Sequence, residues 1–186
     1  TGHQTAAEKG HGVVFKKPFV RMRETVKVVR RLLDGERVFF QGEAIGLTGA
    51  SLGMVQGEKV SLYLAALGPR MLELAGEIAD GVLLNWAAPS YIQKALLHLK
   101  RGADRAGRRV EDIDVAAYIR VAVVANEEIV HAPLRRQIMR YLNMEYYRNF
   151  LMETGFEEEI RAIDECLRRG DMDKASSAIS NEMERA

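Results

Sequence analysis

The chain has little cysteine, few histidines and almost no excess charge, and each shortage excludes a class of protein. Cys166 is the only cysteine among 186 residues, so the chain holds no internal disulfide and no cysteine cluster for a metal. The four histidines are scattered, and no two of them have the His-x-x-x-His spacing of a zinc-binding helix. We therefore expect no metal site.

The balance of charge and the distribution of apolar residues exclude two kinds of partner. Lysine and arginine number 27 against 26 aspartates and glutamates, and a net charge of +1 argues against nucleic acid or an anionic membrane as a partner. The longest uncharged runs are 14 residues at Ala44–Gly57 and 13 residues at Gly81–Gln93, and glycine or proline interrupts both. Neither run can cross a bilayer, which takes about 20 apolar residues. We expect a cytoplasmic protein whose partner is a small-molecule substrate.

One stretch, Val60–Trp86, contains a complete strand, helix and strand pattern. Val60–Ala65 is a short apolar run rich in β-branched and aromatic residues, which predicts a parallel strand buried on both faces. A helix is predicted to begin at Pro69, because proline suits the first helical turn, and to end before Gly81. Val82–Asn85 is predicted to form the next strand. This βαβ unit indicates an α/β fold.

The turn before this helix is the first candidate binding site. Ligands of α/β proteins bind at the carboxyl ends of the strands, and a helix N-terminus there offers free N–H groups and the positive end of the helix dipole. Ala65, Ala66 and Gly68 are small enough to let a phosphate or another anion approach the backbone closely. Turns of this composition also serve as plain connections. The residues alone leave both interpretations open.

The segments on either side continue the alternation of strands and helices. Pro18 is predicted to open a helix that Gly35 ends, and residues 38–47 are predicted to form a small hairpin. Ile113–Val124 is predicted to form a third strand of the sheet. From Leu134 onward the apolar residues recur at helical spacing.

Three further residues are candidates because of their positions on predicted strands. Asn85 and Trp86 end the second strand, where the flat ring of Trp86 is suited to line the pocket of a planar coenzyme or substrate. Trp86 is equally suited to anchor neighbouring helices by packing. Arg120 lies on the third predicted strand, and a buried arginine there needs a partner.

The runs YLAALGPRMLELAGEIADGVLLNW, RMRETVKVVRRLLDGERVFFQGE and DIDVAAYIRVAVV together resemble the luciferase-like monooxygenase family. The nearest branch is that of the deazaflavin-dependent oxidoreductases, which includes methylenetetrahydromethanopterin reductase. The resemblance implies a TIM (β/α)8 barrel, coenzyme F-420 as cofactor, and hydride transfer between the reduced deazaflavin and an organic substrate. It implies that Ala65, Ala66, Leu67, Gly68 and Pro69 contact the phosphate and ribityl side of the coenzyme, and the strand-end positions of Asn85 and Trp86 add these two residues to the predicted coenzyme-binding set.

Gly2 and His3 lie where the resembled family has coenzyme-pocket residues after a strand that ends in Gly-Thr-Gly. Related enzymes often carry a carboxylate as proton donor where this chain has His3. A histidine can do the same work, because its unperturbed pKa is about 6.5. We predict that Gly2 contacts the coenzyme and that His3 is catalytic. The change of residue type keeps open the alternative that His3 is an exposed loop residue.

The length of the chain limits how much of a barrel it can form. A complete (β/α)8 barrel takes about 250 residues. We expect residues 1–186 to form a single partial domain of an incomplete barrel, with about three parallel strands, their helices and a helical C-terminal segment, and without the N-terminal strands and the last strand. We expect this chain alone to be inactive and the full-length protein to be a homo-oligomer. An FMN-dependent monooxygenase of the same family and a non-catalytic fragment or binding module are the alternatives.

Overall fold

The computed structural model describes residues 4, 6–53, 57–126 and 128–185. Short π-helical turns lie at Ala6–Gly10 and Met152–Phe156, and a 3₁₀ turn lies at Val110–Asp112. The strands and α-helices, in chain order, are α1 (Pro18–Leu33), β1 (Val38–Gln41), β2 (Gly46–Ala50), β3 (Tyr63–Ala65), α2 (Pro69–Ile78), β4 (Gly81–Asn85), α3 (Pro89–Arg105), β5 (Asp114–Tyr118), α4 (Glu128–Leu142), α5 (Glu145–Leu151), α6 (Glu157–Arg168), α7 (Met172–Ser177) and α8 (Asn181–Arg185). Within the described ranges, no helix combines the length and the apolar character that a membrane span requires.

The chain divides into two compact units. The first unit comprises Thr1–Asn85 and Gln93–Tyr118, and the second comprises Trp86–Ile92 and Ile119–Ala186. The first unit contains both sheets, and the second is built mainly from α4 to α8. That the whole chain forms one partial domain stays a prediction.

Strands β3, β4 and β5 form a parallel sheet in that order. In its register, Leu64 lies beside Val82 and Val82 lies beside Val115. This confirms the predicted α/β class with three parallel strands and their helices. The prediction that the third strand continues to Val124 is wrong, because β5 ends at Tyr118. Tyr118 pairs with Asn85, the last residue of β4, so the next residue of the chain has no β4 neighbour with which to extend the ladder.

Strands β3 and β4 are buried on one face only, contrary to the prediction for Val60–Ala65. Leu64, Val82 and Leu84 are buried, and helix α2 packs on β4. On the opposite face, Tyr63 and Leu83 are exposed to 46% and 37% of their surface. A strand of a parallel sheet is buried on both faces only where other elements cover both faces of the sheet. Here helices cover one face.

Two glycines let α2 and α3 approach each other closely. A Cβ atom added at Gly102 would lie 1.9 Å from the carbonyl oxygen of Glu73, and one added at Gly76 would lie 2.2 Å from the carbonyl oxygen of Leu99. Arg105 on α3 also donates to Glu73 and to Glu77 on α2, at 2.9 Å in each case. The backbone contact between these helices therefore requires residues without a side chain.

The predicted hairpin forms from the antiparallel strands β1 and β2, and a carboxylate of α1 holds its loop. Glu24 accepts hydrogen bonds from the backbone N–H groups of Glu43, Ala44 and Ile45 at 2.7, 2.9 and 3.0 Å. These three N–H groups are therefore not available for hydrogen bonds between the two strands. The second strand accordingly begins only at Gly46.

The second unit has its own core, to which α4 to α8 contribute. The predicted helical periodicity after Leu134 is confirmed, since Ile138, Ile160 and Ile163 are all less than 3% exposed. Its buried residues are Trp86, Tyr91, Ile138, Leu142, Tyr147, Phe150, Leu151, Phe156, Ile160, Ile163, Ala175, Ile179 and Met183.

Candidate functional site

The carboxyl edge of the parallel sheet brings several of the predicted residues together. Ala65, Asn85 and Tyr118 are the last residues of β3, β4 and β5, and Asn85 is paired with Tyr118. The backbone N–H of Ala66 donates to the carbonyl oxygen of Leu83 at 3.2 Å, so the turn after β3 stays attached to the end of the sheet. This is the edge at which parallel α/β folds bind ligands.

The N-terminus of α2 follows this turn, as the proline at position 69 predicted. Gly68 is the residue before the helix and has φ −71° and ψ 148°, while Pro69 opens the first turn. The N–H groups of Met71 and Leu72 both donate to the carbonyl oxygen of Gly68 at 3.0 Å. Pro69 has no N–H, so Arg70 supplies the remaining N–H donor of the first helical turn.

The electrostatics of this turn favour an anion. The first turn of α2 contains no acidic residue, so its positive dipole end is not offset by a side chain of that turn. Arg70 lies in the same turn with its guanidinium 4.8 Å from the ring centre of Phe19, on α1. A cation at a helix N-terminus is electrostatically unfavourable by itself. A bound anion would offset both the charge of Arg70 and the positive end of the helix dipole.

The sequence interpretation missed Arg70 and Phe19. Arg70 was detectable, because it is the second residue of a helix that begins at Pro69 and therefore lies at the positive end of the helix dipole. Phe19 was not, because its contact with Arg70 joins two helices far apart in the chain.

The predicted coenzyme-binding residues of the turn differ in how far they are exposed to solvent. Ala65 and Pro69 are exposed, and Gly68 is half-buried. Ala66 and Leu67 are only 6% and 7% exposed, so their side chains belong to the core. Leu67 thus offers a ligand its backbone rather than its side chain.

Trp86 directly follows β4 and is the first residue of the second unit. Its φ of 54° is left-handed, which is uncommon for a bulky residue. Only 8% of its surface is exposed. Within the second unit, the guanidinium of Arg120 lies 3.7 Å from the centre of the Trp86 ring, and the ring of Tyr141 lies 5.2 Å away. Trp86 and Arg120, two separate candidates in the sequence, therefore form one contact.

The predicted catalytic residue His3 and the predicted coenzyme residue Gly2 lie outside the described residues. Their roles stay predictions.

The opposite, amino-terminal edge of the sheet carries an ionic cluster around Asp80. Its carboxylate accepts from Lys59 Nζ and from the backbone N–H of Leu62, both at 2.8 Å, and from the guanidinium of Arg30. Arg30 also donates to the carbonyl oxygen of Val60 at 2.7 Å. Partial burial works to raise the pKa of Asp80, but the three hydrogen bonds outweigh it and lower the pKa to about 2. This cluster joins α1 to the start of the sheet, where the barrel fold places structural rather than catalytic residues.

A comparison with known protein families shows the family to which the chain belongs. The sequence profile of the family described as luciferase-like monooxygenase matches residues 1–186. The chain belongs to the luciferase-like monooxygenase family. This confirms the resemblance drawn from the three sequence runs.

Two curated relatives are similar to this member of the family. The 5,10-methylenetetrahydromethanopterin reductase of Archaeoglobus fulgidus is 30% identical over 177 residues, which cover 92% of this chain and 53% of the reductase. The F420-dependent glucose-6-phosphate dehydrogenase of Mycolicibacterium fortuitum is 37% identical over 117 residues, which cover 62% of this chain and 35% of the dehydrogenase. The chain thus spans about half the length, or less, of these relatives.

A solved structure has the same fold over most of this chain. The coenzyme F420-dependent tetrahydromethanopterin reductase of Methanopyrus kandleri superposes with a TM-score of 0.73 and 29% sequence identity, over 91% of this chain and 49% of that chain. The three strands with their helices therefore correspond to part of the fold of a coenzyme F420-dependent reductase. This confirms the predicted fold class of a partial barrel.

Proposed function

We propose that the protein is a deazaflavin-dependent oxidoreductase that transfers a hydride between coenzyme F420 and a small organic substrate. The observation that carries the proposal is the match of the whole chain to the family, together with relatives that are F420-dependent by name. The same relatives favour a deazaflavin over FMN as the cofactor. The F420-dependent relatives also argue against a non-catalytic binding module.

The residues at the carboxyl edge of the sheet fit such a coenzyme. A turn with an N–H donor from Arg70, a first helical turn without acidic residues, and the small residues Ala65 and Ala66 suit the phosphate of the coenzyme side chain. When bound, the deazaflavin supplies the hydride chemistry, and the protein supplies binding and orientation. We assign phosphate binding to the backbone of Ala65–Pro69, with Arg70 adding charge beside it.

The remaining site residues take roles that follow from their positions. Asn85 ends β4 at the same edge and carries an amide that both donates and accepts hydrogen bonds, so we assign it a contact to a polar group of the coenzyme or the substrate. We assign Trp86 a contact to the same ligands. Gly2 keeps its assignment as a coenzyme contact and His3 as the proton donor, on the family resemblance.

We extend the proposal to the state of the intact protein. Its substrate is a small molecule, and we propose that it works as a homo-oligomer in the cytoplasm. Light scattering after size-exclusion chromatography checks the oligomeric state, and fractionation of cells followed by immunoblotting checks the compartment.

Substitution of Gly68 by valine tests the coenzyme site. The φ and ψ of Gly68 lie in the extended region that valine readily adopts, so Gly68→Val is compatible with the backbone of the turn. The added isopropyl group would block close approach of a phosphate to the N–H group of Arg70. Loss of one charge-assisted hydrogen bond, about 1.5–3 kcal/mol, weakens coenzyme affinity by about tenfold or more. Titration of the intact protein with coenzyme F420 measures this change.

Arg101→Ala is the control for this experiment, because Arg101 is exposed on α3 and lies outside the turn. We expect wild-type coenzyme affinity in Arg101→Ala and a normal melting curve in both variants. Unchanged affinity in a normally folded Gly68→Val protein would show that the turn is only a structural connection. A wild-type protein that binds no coenzyme F420 would contradict the proposed function itself.

A further inference from the structure

Arg70 differs from the other charged residues of α2, Glu73 and Glu77, in having no ionic partner within the described ranges. Both glutamates pair with Arg105 of α3 at 2.9 Å. Glu73 lies three residues after Arg70, at the spacing of a helical ion pair, but its carboxylate is thus engaged on another helix. Arg70 itself is exposed, and its guanidinium contacts the ring of Phe19.

The ring of Phe19 holds the guanidinium of Arg70 in place. Phe19 is the second residue of α1 and is half-buried. The guanidinium of Arg70 lies 4.8 Å from the ring centre, and that of Arg23 lies 5.4 Å from it. An aromatic face attracts a cation at such distances. Because Arg23 forms an ion pair with Glu77, the charge of Arg70 is the one beside this ring that lacks a counter-charge.

The charges around Arg70 favour a ligand with more than one anionic group. Arg70 directly follows the turn Ala65–Pro69, to which we assign phosphate binding, and the first turns of α1 and α2 both lack an acidic residue. The positive end of the α2 dipole and the charge of Arg70 together supply about 1.5 positive charges. A phosphodiester carries a single negative charge. A second anion beyond the phosphate would therefore be bound favourably.

We propose that the side chain of Arg70 binds a carboxylate of the glutamate chain that follows the phosphate in coenzyme F420, and that Phe19 is the positioning residue for its guanidinium. The N–H donors of a guanidinium match the two oxygens of a carboxylate. The inference rests on the proposed function for the identity of the ligand. It goes beyond that function because it assigns a second anionic contact and the side chain that positions it. Phe19, Arg70 and the turn all belong to the first unit.

Two probes distinguish a carboxylate contact from a phosphate contact. One is coenzyme F420, and the other is the shorter deazaflavin phosphate, which has the same ring, ribityl chain and phosphate but no carboxylate. Each probe is titrated against the intact protein by calorimetry. Arg70→Met removes the charge and keeps a long, helix-forming side chain. We expect it to weaken binding of coenzyme F420 by about three- to tenfold, as for a charge-assisted pair at an exposed site, and to leave the affinity for the deazaflavin phosphate within about twofold of the wild type.

Phe19→Leu tests the positioning role, because it keeps an apolar side chain and removes the aromatic face. We expect it to weaken binding of coenzyme F420 by about two- to threefold and to leave the deazaflavin phosphate unaffected. Phe19→Tyr keeps an aromatic face and should bind both probes as the wild type does. Since the ring acts through Arg70, Phe19→Leu should cause no further loss when Arg70→Met is already present. A merely structural role of Phe19 would weaken the binding of both probes equally.

Arg101→Met is the matched control, because Arg101 is exposed on α3 and lies outside this site. We expect wild-type affinity for both probes in this variant. Arg70 is exposed, so Arg70→Met should melt as the wild type does. The preference of the wild type for coenzyme F420 over the deazaflavin phosphate should decrease as sodium chloride is added, because salt screens exposed charges.

The outcomes separate this inference from the proposed function. Wild-type affinity of Arg70→Met for coenzyme F420 would overturn the inference and leave the proposed function standing. An equal loss for both probes would also overturn it, because it would assign Arg70 to the phosphate. A wild-type protein that binds neither probe would overturn the inference and the proposed function together. A loss confined to coenzyme F420, with the control unchanged, supports the assignment of Arg70.

Discussion

Removal of the charge on Asp80 should destabilise the protein in a way that depends on pH. Three donors, from Arg30, Lys59 and the backbone of Leu62, lower the pKa of this carboxyl from an ordinary 3.8 to about 2 despite its partial burial. At about 1.4 kcal/mol for each pKa unit, this decrease corresponds to about 2 kcal/mol of stability at neutral pH. We therefore expect Asp80→Asn to lower the free energy of unfolding at pH 7 by about 2 kcal/mol.

The sign of the pH dependence follows from the direction of the pKa change. Because the pKa is lower in the folded protein than in the unfolded chain, the contribution of Asp80 is complete above about pH 5 and is lost as the pH falls from about 4 to about 2. The difference between wild type and Asp80→Asn should shrink over this window. Urea denaturation followed by circular dichroism at pH 7, 4, 3 and 2 measures it.

A matched control separates the cluster from a general charge effect. Asp104 on α3 is exposed and pairs with Lys100 at 2.8 Å, so Asp104→Asn should change the free energy of unfolding by less than about 0.5 kcal/mol. A loss of stability in Asp80→Asn that is equally large at pH 2 and pH 7 would refute the electrostatic explanation. It would assign the effect to the shape of the side chain.

Two further substitutions test contacts that build the first unit. Gly102→Ala places a methyl group 1.9 Å from the carbonyl oxygen of Glu73, so we expect the free energy of unfolding to fall by about 1–3 kcal/mol. The melting temperature should fall by about 2–4 °C for each kcal/mol. Gly10→Ala is the control and should melt as the wild type, because nothing lies within 4 Å of the added methyl group. Glu24→Ala removes the acceptor of three backbone N–H groups, so the amides of residues 43–45 should exchange hydrogen for deuterium faster. Unchanged exchange at these amides would mean that the hairpin loop keeps its conformation without Glu24.

The order and type of the main elements followed from the sequence because they depend on residues close together in the chain. Pro69 marked the first residue of α2, and the apolar spacing after Leu134 marked a run of helices. The turn at Ala65–Pro69 was recognisable as a candidate site for the same reason, since a strand end, a glycine and a helix start lie within five residues. The family resemblance also rested on short runs.

Tertiary contacts decided the features that join distant parts of the chain. Whether Tyr63 is buried depends on which faces of the sheet are covered, and helical packing on one face left it 46% exposed. The end of β5 depends on where β4 stops, which the pattern of Ile113–Val124 does not contain. Local periodicity reports the face on which a residue lies, but not what covers that face.

The electrostatic contacts between distant elements have the same origin. Arg30 reaches a carboxylate 50 residues later in the chain, at Asp80, and Arg70 stacks on Phe19 of another helix. Arg120 was a candidate from its charge on a predicted strand, but only the packing of the second unit brings it against Trp86. The sequence determined which side chains were available for chemistry. The fold decided which of them meet, because each such contact joins elements that the chain separates by many residues.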